Sequence, residues 1–295
     1  MLYYSNNIKN KIDKEELTFP KSSYPEVLVK LANVEFVIND YSGQKLQNIN
    51  WEIKSGENWI VTGFHASGKT SLLKVAAGLK QQMSGRVSIF GIPYWNETEE
   101  NICKIRRKIA FIFEDGNRLL QGLTVAENMA LPICYHENKT VKDIKDQVEK
   151  ILKYLELQDV ENLYPSQLNL YQRQCVLLGQ AILIKPKLLF VDNPGEGLDI
   201  VQKYKMRNML DDISIGIPSL NLPKVTLVIS TQRIQDHLEY YSSNEERMQK
   251  HQWMYAVISK QTLHTFQTVE SLRMSEETSI KKIIGKWSKI SYAYQ

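Results

Sequence analysis

Eight residues, Gly63-Phe64-His65-Ala66-Ser67-Gly68-Lys69-Thr70, set two glycines, a lysine and a threonine in the spacing G-x-x-x-x-G-K-T. Each type meets a separate need of phosphate binding. Gly63 and Gly68 let the backbone turn tightly and bring its N–H groups close to phosphate oxygens. Lys69 is placed to reach the β- and γ-phosphates of a nucleoside triphosphate, and the Thr70 hydroxyl to ligate Mg²⁺. Phe64, His65, Ala66 and Ser67 supply the loop between, and Ser71 follows as a further candidate contact.

The flanking residues can hold such a loop. Trp59-Ile60-Val61 reads as a buried strand, and Leu72, Leu73, Ala76 and Leu79 are spaced as one face of a helix whose N-terminus adds partial positive charge. The other readings of composition are weaker. Hydrophobic residues make up 43% of the 295, enough for a core of domain size. A net charge of +4 with well-mixed signs gives no argument for nucleic acid. The three cysteines, Cys103, Cys134 and Cys175, are far apart and form no C-x-x-C pair, and the five histidines show no metal-ligand spacing. Apolar runs fall short of the roughly eighteen residues a membrane span needs, and the N-terminal stretch lacks the apolar centre of a signal peptide. The expected setting is the cytoplasm.

Along the chain, residues 1–24 read as a polar N-terminal arm. Strands are expected at Val27–Val37 and Ile49–Ile53 around a turn at Asp40–Gly43, then at Gly85–Gly91 and Lys108–Phe113. Thr140 is expected to cap a helix carrying Val141, Ile144, Val148, Ile151, Leu152 and Leu155 on one face, and a second helix is expected from Gln172 to Ile184. Strands return at Leu188–Val191, Val225–Ile229 and Trp253–Ile258. The pattern predicts an α/β core of P-loop NTPase (RecA-like) type, interrupted by helices over about 119–185. Gln235–Gln252 reads as a charged, solvated insertion, and 273–295 as a C-terminal extension of a main domain over 25–272.

In this order the motifs resemble the ATP-binding domain of ABC transporters. Leu188–Asp192 stands at the Walker B strand of that family, Gly197-Leu198-Asp199 at its D-loop, and Phe113-Glu114-Asp115 at its Q-loop. Tyr164-Pro165 and Gln172-Arg173-Gln174 frame the signature position. The resemblance implies ATP and Mg²⁺ as cofactors, with Thr70 and Asp192 as the metal's ligands. It also implies a head-to-tail dimer, with itself or a paralogous ATP-binding subunit, docked on transmembrane permease subunits at the inner face of the cell membrane.

Several positions depart from the family. The signature Leu-Ser-Gly-Gly-Gln is Leu168-Asn169-Leu170-Tyr171-Gln172, so Leu170 and Tyr171 put side chains where bare backbone normally approaches the γ-phosphate held by the opposite subunit. The glutamate after the Walker B aspartate is Asn193, the switch histidine is Gln232, and the Q-loop glutamine is Glu114. These degenerate catalytic positions imply impaired hydrolysis, since loss of a general base typically costs about 10²–10⁴ in rate. Glu114 admits two readings, drift after catalysis was lost or relocation of the missing carboxylate. Ile38 stands where the adenine-stacking aromatic is expected, with Tyr41 as its replacement. Thr124–Pro132, Tyr135-His136 and Asp192-Asn193-Pro194 are similar to the ATPases of Mce/Mla-like lipid transporters, which implies a lipid cargo. A soluble ABC-type ATPase or scaffold without a membrane partner and a P-loop small-molecule kinase are the competing function classes.

Overall fold

A computed structural model of the chain describes residues 26–38, 43–114, 118–242 and 251–285. The expected N-terminal arm, Tyr41 and Asp115 lie outside the described residues, as do 243–250 of the expected insertion and 286–295 of the expected extension.

The first sheet grows from alternating side chains. Strands β1 (Val27–Val37) and β2 (Lys45–Lys54) pair antiparallel, and Leu46, Ile49, Trp51 and Ile53 turn inward while Gln47 and Asn50 face solvent. β4 (Ser84–Ile89) and the short β5 (Ile92–Pro93) complete the order β2-β1-β4-β5. A register shift interrupts β1 between Leu31 and Val34. Gly85 faces it at φ +84°, where a Cβ would meet the Asn33 carbonyl oxygen at 2.3 Å.

The second sheet follows a different rule because both its faces are covered, so its strands are continuous apolar runs. Its order is β10 (Thr262–Phe266), β9 (Trp253–Ser259), β3 (Asn58–Gly63), β8 (Thr226–Thr231), β7 (Leu188–Val191), β6 (Ile109–Ile112). β9, β3, β8, β7 and β6 run parallel, and β10 pairs antiparallel with β9. Trp59, Val61, Phe190, Val228 and Ala256 enter one core, shared with the first sheet and helix α1 (Lys69–Ala76). Ile60, Leu189, Val191, Leu227 and Ile229 enter the other, shared with the helices on the opposite face.

Between β6 and β7 lie α3 (Val125–Glu137), α4 (Lys145–Tyr154) and α5 (Leu170–Leu183), after an earlier helix α2 (Glu99–Arg106). Gly179 of α5 admits close approach, since Met129 and Leu155 lie within 3 Å of where its Cβ would stand. After β7 come α6 (Ile200–Ile215) and α7 (Ile234–Ser242). The chain ends in α8 (Val269–Arg273) and α9 (Thr278–Ile284), whose Ile280 and Ile284 are buried in the second core.

Four local expectations change. Helix α1 stops at Ala76 with a turn at Gly78, where the Leu79 N–H closes onto the Lys74 carbonyl at 2.8 Å, and Leu79 is left 46% exposed. Thr140 caps no α-helix: its N–H and hydroxyl both donate to the Asp143 carboxylate, a 3₁₀ turn follows, and α4 begins only at Lys145. Helix α5 starts at Leu170 rather than Gln172 because Asn169 and Gln172 cap each other reciprocally. Gln235–Ser242 is not solvated surface, since His237, Leu238, Tyr240 and Tyr241 of α7 are buried with Trp253 and Tyr255.

Candidate nucleotide-binding site

β3 ends at Gly63, and the loop that follows wraps back on itself before α1. The Ser67 N–H closes onto the Phe64 carbonyl at 3.1 Å, Ala66 sits at φ +58° and Gly68 at φ +99°. A Cβ at Gly68 would meet Ile38 Cγ1 at 2.9 Å and Leu46 Cδ1 at 3.2 Å, so glycine is required on both conformational and steric grounds. Phe64 and His65 are exposed at the rim, and the Ser71 hydroxyl donates to the Ile38 carbonyl at 2.9 Å. That bond ties the loop to the end of β1.

The charged groups converge on this loop from neighbouring strand ends. Lys69 is buried, and its ammonium donates to the Gly63 and Phe64 carbonyls, both at 3.0 Å. Burial lowers its pKa, while the nearby Asp192 and Glu114 carboxylates oppose that shift. Asp192 closes β7, and its Oδ1 accepts the Ser230 hydroxyl at 2.5 Å. Ser230 Oγ in turn accepts the Asn193 backbone N–H at 3.0 Å. The Asn193 side-chain amide donates to Glu114 Oε1 at 2.8 Å and reaches Glu196 Oε2 at 3.3 Å. Gln232, past the end of β8, brings its Oε1 to 3.4 Å from His65 Nδ1.

Together these residues line a cleft of ≈ 560 Å³ containing Lys69, Thr70, Glu114, Asp192, Asn193 and Gln232. It opens beyond the carboxyl ends of the parallel strands, where open α/β sheets place their ligands. The donor set fits a triphosphate and a hard cation. The buried Ser67 hydroxyl has no hydrogen-bond partner among the described residues. A buried ammonium faces the same space, and a hydroxyl and a carboxylate supply oxygen for Mg²⁺. Ile38 lines the cleft as well.

The signature residues stand apart from it. Asn169, Leu170, Tyr171 and Gln172 do not line the cleft, and the side-chain oxygens of Asn169 and Gln172 are committed to capping α5. Leu170 and Tyr171 are half-buried against the second core, and a Leu170 methyl lies 2.8 Å from where a Cβ of Gly197 would stand. The two bulky residues expected to stand in the way of close approach are therefore packed in large part into their own subunit.

Three residues lining the cleft, Gln44, Lys74 and Ser230, were not expected from sequence. Ser230 links Asp192 to Asn193, and its signal was a polar residue ending the apolar run Val225–Ile229. Lys74 lines the cleft one turn beyond the loop, with its ammonium 5.7 Å from the Phe113 ring centroid. Only the fold brings Gln44 and Ser230 beside the loop, whereas Lys74 follows it on α1.

Comparison with known proteins agrees with the geometry. The sulfate/thiosulfate import ATP-binding protein of Mesostigma viride is 32% identical over 196 residues, 66% of this chain and 53% of that protein. The methionine import ATP-binding protein MetN 2 of Bacillus licheniformis is 31% identical over 189 residues, 63% of this chain and 55% of its own length. The chain thus spans about half the length of the relatives it matches. Among solved structures, the dimeric ATP-binding cassette MJ0796 bound to ADP and Pi superposes with a TM-score of 0.66 at 24% identity, covering 81% of this chain and 98% of that one. A component of the cbiONQ transporter, cbiO1 from Clostridium perfringens, gives 0.63 at 20% identity, covering 82% and 89%. At these identities the structures establish the fold. Residues 46–196, from β2 through the phosphate loop and Asp192, match the ABC transporter family, and the chain belongs to that family as an ATP-binding domain.

Proposed function

We propose that this chain is the ATP-binding subunit of an ABC transporter, binding Mg-ATP at the Lys69–Asp192 cleft and coupling it to transmembrane permease subunits. The observation that carries the reading is the convergence of Lys69, Thr70, Asp192 and Glu114 on one cleft at the strand ends. Lys69 and the loop N–H groups would hold the phosphates, and Thr70 and Asp192 the Mg²⁺, which would neutralise charge on the phosphoryl oxygens.

Surface chemistry supports the partners. Ile200 and Val201, directly after the D-loop Asp199, are 72% and 63% exposed, which suits burial against a second ATP-binding subunit. Among the described residues no helix is long and apolar enough to cross a membrane, so a transport role requires membrane-embedded partners. Leu120 and Tyr135, before and within α3 of the helical insert, are exposed apolar side chains available to such partners.

Hydrolysis in this reading is slow. Asn193 has no basicity, and Gln232 replaces a histidine beside the phosphate loop. The lipid cargo rests on the resemblance of Thr124–Pro132 and Asp192–Pro194 alone. Thr124 and Glu127 form the reciprocal cap of α3, so this stretch builds a helix start rather than a cargo surface. Calorimetric titration with Mg-ATP and measurement of turnover test the proposal. Saturable binding with turnover below about 1 s⁻¹, the low end of ordinary enzyme rates, is expected. Absence of binding, or turnover above that rate by the isolated chain, would overturn it.

A further inference from the structure

We propose that Glu114 is the proton-accepting carboxylate of this site and that Asn193 is the amide that positions it. The inference rests on the nucleotide-binding reading above and adds a route for the slow hydrolysis. Two carboxylates line the cleft, Asp192 and Glu114. Asp192 is buried, bonded to the Ser230 hydroxyl, and assigned to the metal. Glu114 is half-buried at the cleft wall, with one oxygen accepting from Asn193 and the other without a hydrogen bond among the described residues.

Asn193 is pinned at both ends, which gives it the rigidity a positioning group needs. Its backbone N–H is held by Ser230 Oγ and its φ is +48°, a conformation asparagine tolerates better than most residues. Both hydrogens of its side-chain amide have acceptors, Glu114 Oε1 at 2.8 Å and Glu196 Oε2 at 3.3 Å. Turning the amide over would set its oxygen against two carboxylates, so its orientation is fixed by charge. An amide N–H donated here orients the Glu114 side chain and cannot replace it as a base.

The residue before Glu114 is held as well. The preceding Phe113 ring packs 4.5 Å from Phe111 and lies under the Arg118 guanidinium at 4.4 Å and the Lys74 ammonium at 5.7 Å. The Glu114 charge is close enough to Lys69 to favour its protonated state, so the ammonium offsets repulsion between this carboxylate and a bound triphosphate. His65 also lines the cleft, but it is exposed and faces Gln232.

In the step itself, the oxygen of a water forms a bond to the γ-phosphorus. The bond from that phosphorus to the β–γ bridging oxygen breaks, and its electron pair stays on ADP. The proton of the water passes to Glu114 and leaves with the released phosphate, so the sum is ATP and water to ADP and phosphate. Carboxylate and amide thus sit side by side on one wall of the cleft, with the base following β6.

The test measures single-turnover hydrolysis and calorimetric Mg-ATP affinity on the full chain and its variants. Glu114→Gln should lower the rate by about 10²–10⁴ while affinity stays within threefold or tightens. Glu114→Asp, which keeps the charge one methylene shorter, should fall between. Asn193→Ala should slow the reaction about tenfold, because a loosened carboxylate is less often in place. In the Glu114→Gln background, Asn193→Ala should lose most of its effect while Mg-ATP affinity stays within threefold, a non-additivity that a merely structural role would not produce. With Mg-ATP binding intact, an unchanged rate in Glu114→Gln, a wild type without turnover, or an Asn193→Ala effect as large in the Glu114→Gln background as in the wild type would overturn the proposal. A wild type that fails to bind Mg-ATP would overturn the nucleotide-binding reading instead.

Discussion

Replacing Lys69 by alanine removes the charged centre of the phosphate loop, and the structure sets the size of the effect. The ammonium has three N–H donors, of which two go to the Gly63 and Phe64 carbonyls at 3.0 Å and one is left for a phosphate oxygen. A charge-assisted bond of that kind contributes about 1.5–3 kcal/mol net, and every 1.4 kcal/mol is tenfold, so Mg-ATP affinity should fall by roughly 10- to 150-fold. Loss of the ammonium also leaves the Asp192 and Glu114 charges without their nearby cation, which adds repulsion toward the triphosphate and favours the upper part of that range. Calorimetric titration of wild type and Lys69→Ala at one fixed ionic strength measures it, with far-UV circular dichroism confirming that both are folded. Affinities within threefold of each other would refute the assignment of this loop to phosphate.

Two further predictions concern the scaffold. Gly85→Ala places a methyl 2.3 Å from the Asn33 carbonyl at a left-handed φ, so it should cost about 2–4 kcal/mol in urea unfolding, and a loss under 0.5 kcal/mol would refute the close approach of β4 to the irregularity in β1. His237 is buried with Arg207 donating to its Nδ1 and its Nε2 3.3 Å from the Tyr255 hydroxyl, enclosed by Tyr241 and Trp253. Burial first, and the Arg207 charge second, hold its pKa well below the usual 6.5. The unfolded chain therefore binds a proton that the folded one refuses, and stability should fall as pH drops below about 6.5, by up to about 1.4 kcal/mol per pH unit from this group. His237→Gln, which keeps an acceptor for Arg207, should flatten the difference between unfolding at pH 7.5 and pH 5.5, and equal differences in the two proteins would refute the reading.

The sequence alone determined what depends on local periodicity and on fixed spacing. Leu188–Val191 reads as a buried strand because four consecutive apolar residues have no solvated face, and it is β7. The phosphate loop is legible because its glycines, lysine and threonine act within eight consecutive residues, and β3 and α1 flank it in the structure. Helices α3 and α6 were not legible as helices although their starts carry reciprocal caps, Thr124 with Glu127 and Asp199 with Gln202. Their apolar residues serve a core contributed by distant strands, so no single clean stripe marks them. Gln235–Gln252 reads as solvated surface because the polar side chains of its described residues 235–242 are paired by distant elements. Tyr240 and Tyr241 both donate to the buried Asp211 of α6, and His237 meets Arg207 of the same helix. Burial of polar groups is favourable only when partners are supplied, and those partners come from tertiary contacts. The same reason hid the pairing of Glu114 with Asn193. In sequence it lies 79 residues from Asn193, and composition gives no pairing between them. The parallel pairing of β6 with β7 brings the ends of both strands together, and that register decides that the amide of Asn193 and the carboxylate of Glu114 share one hydrogen bond.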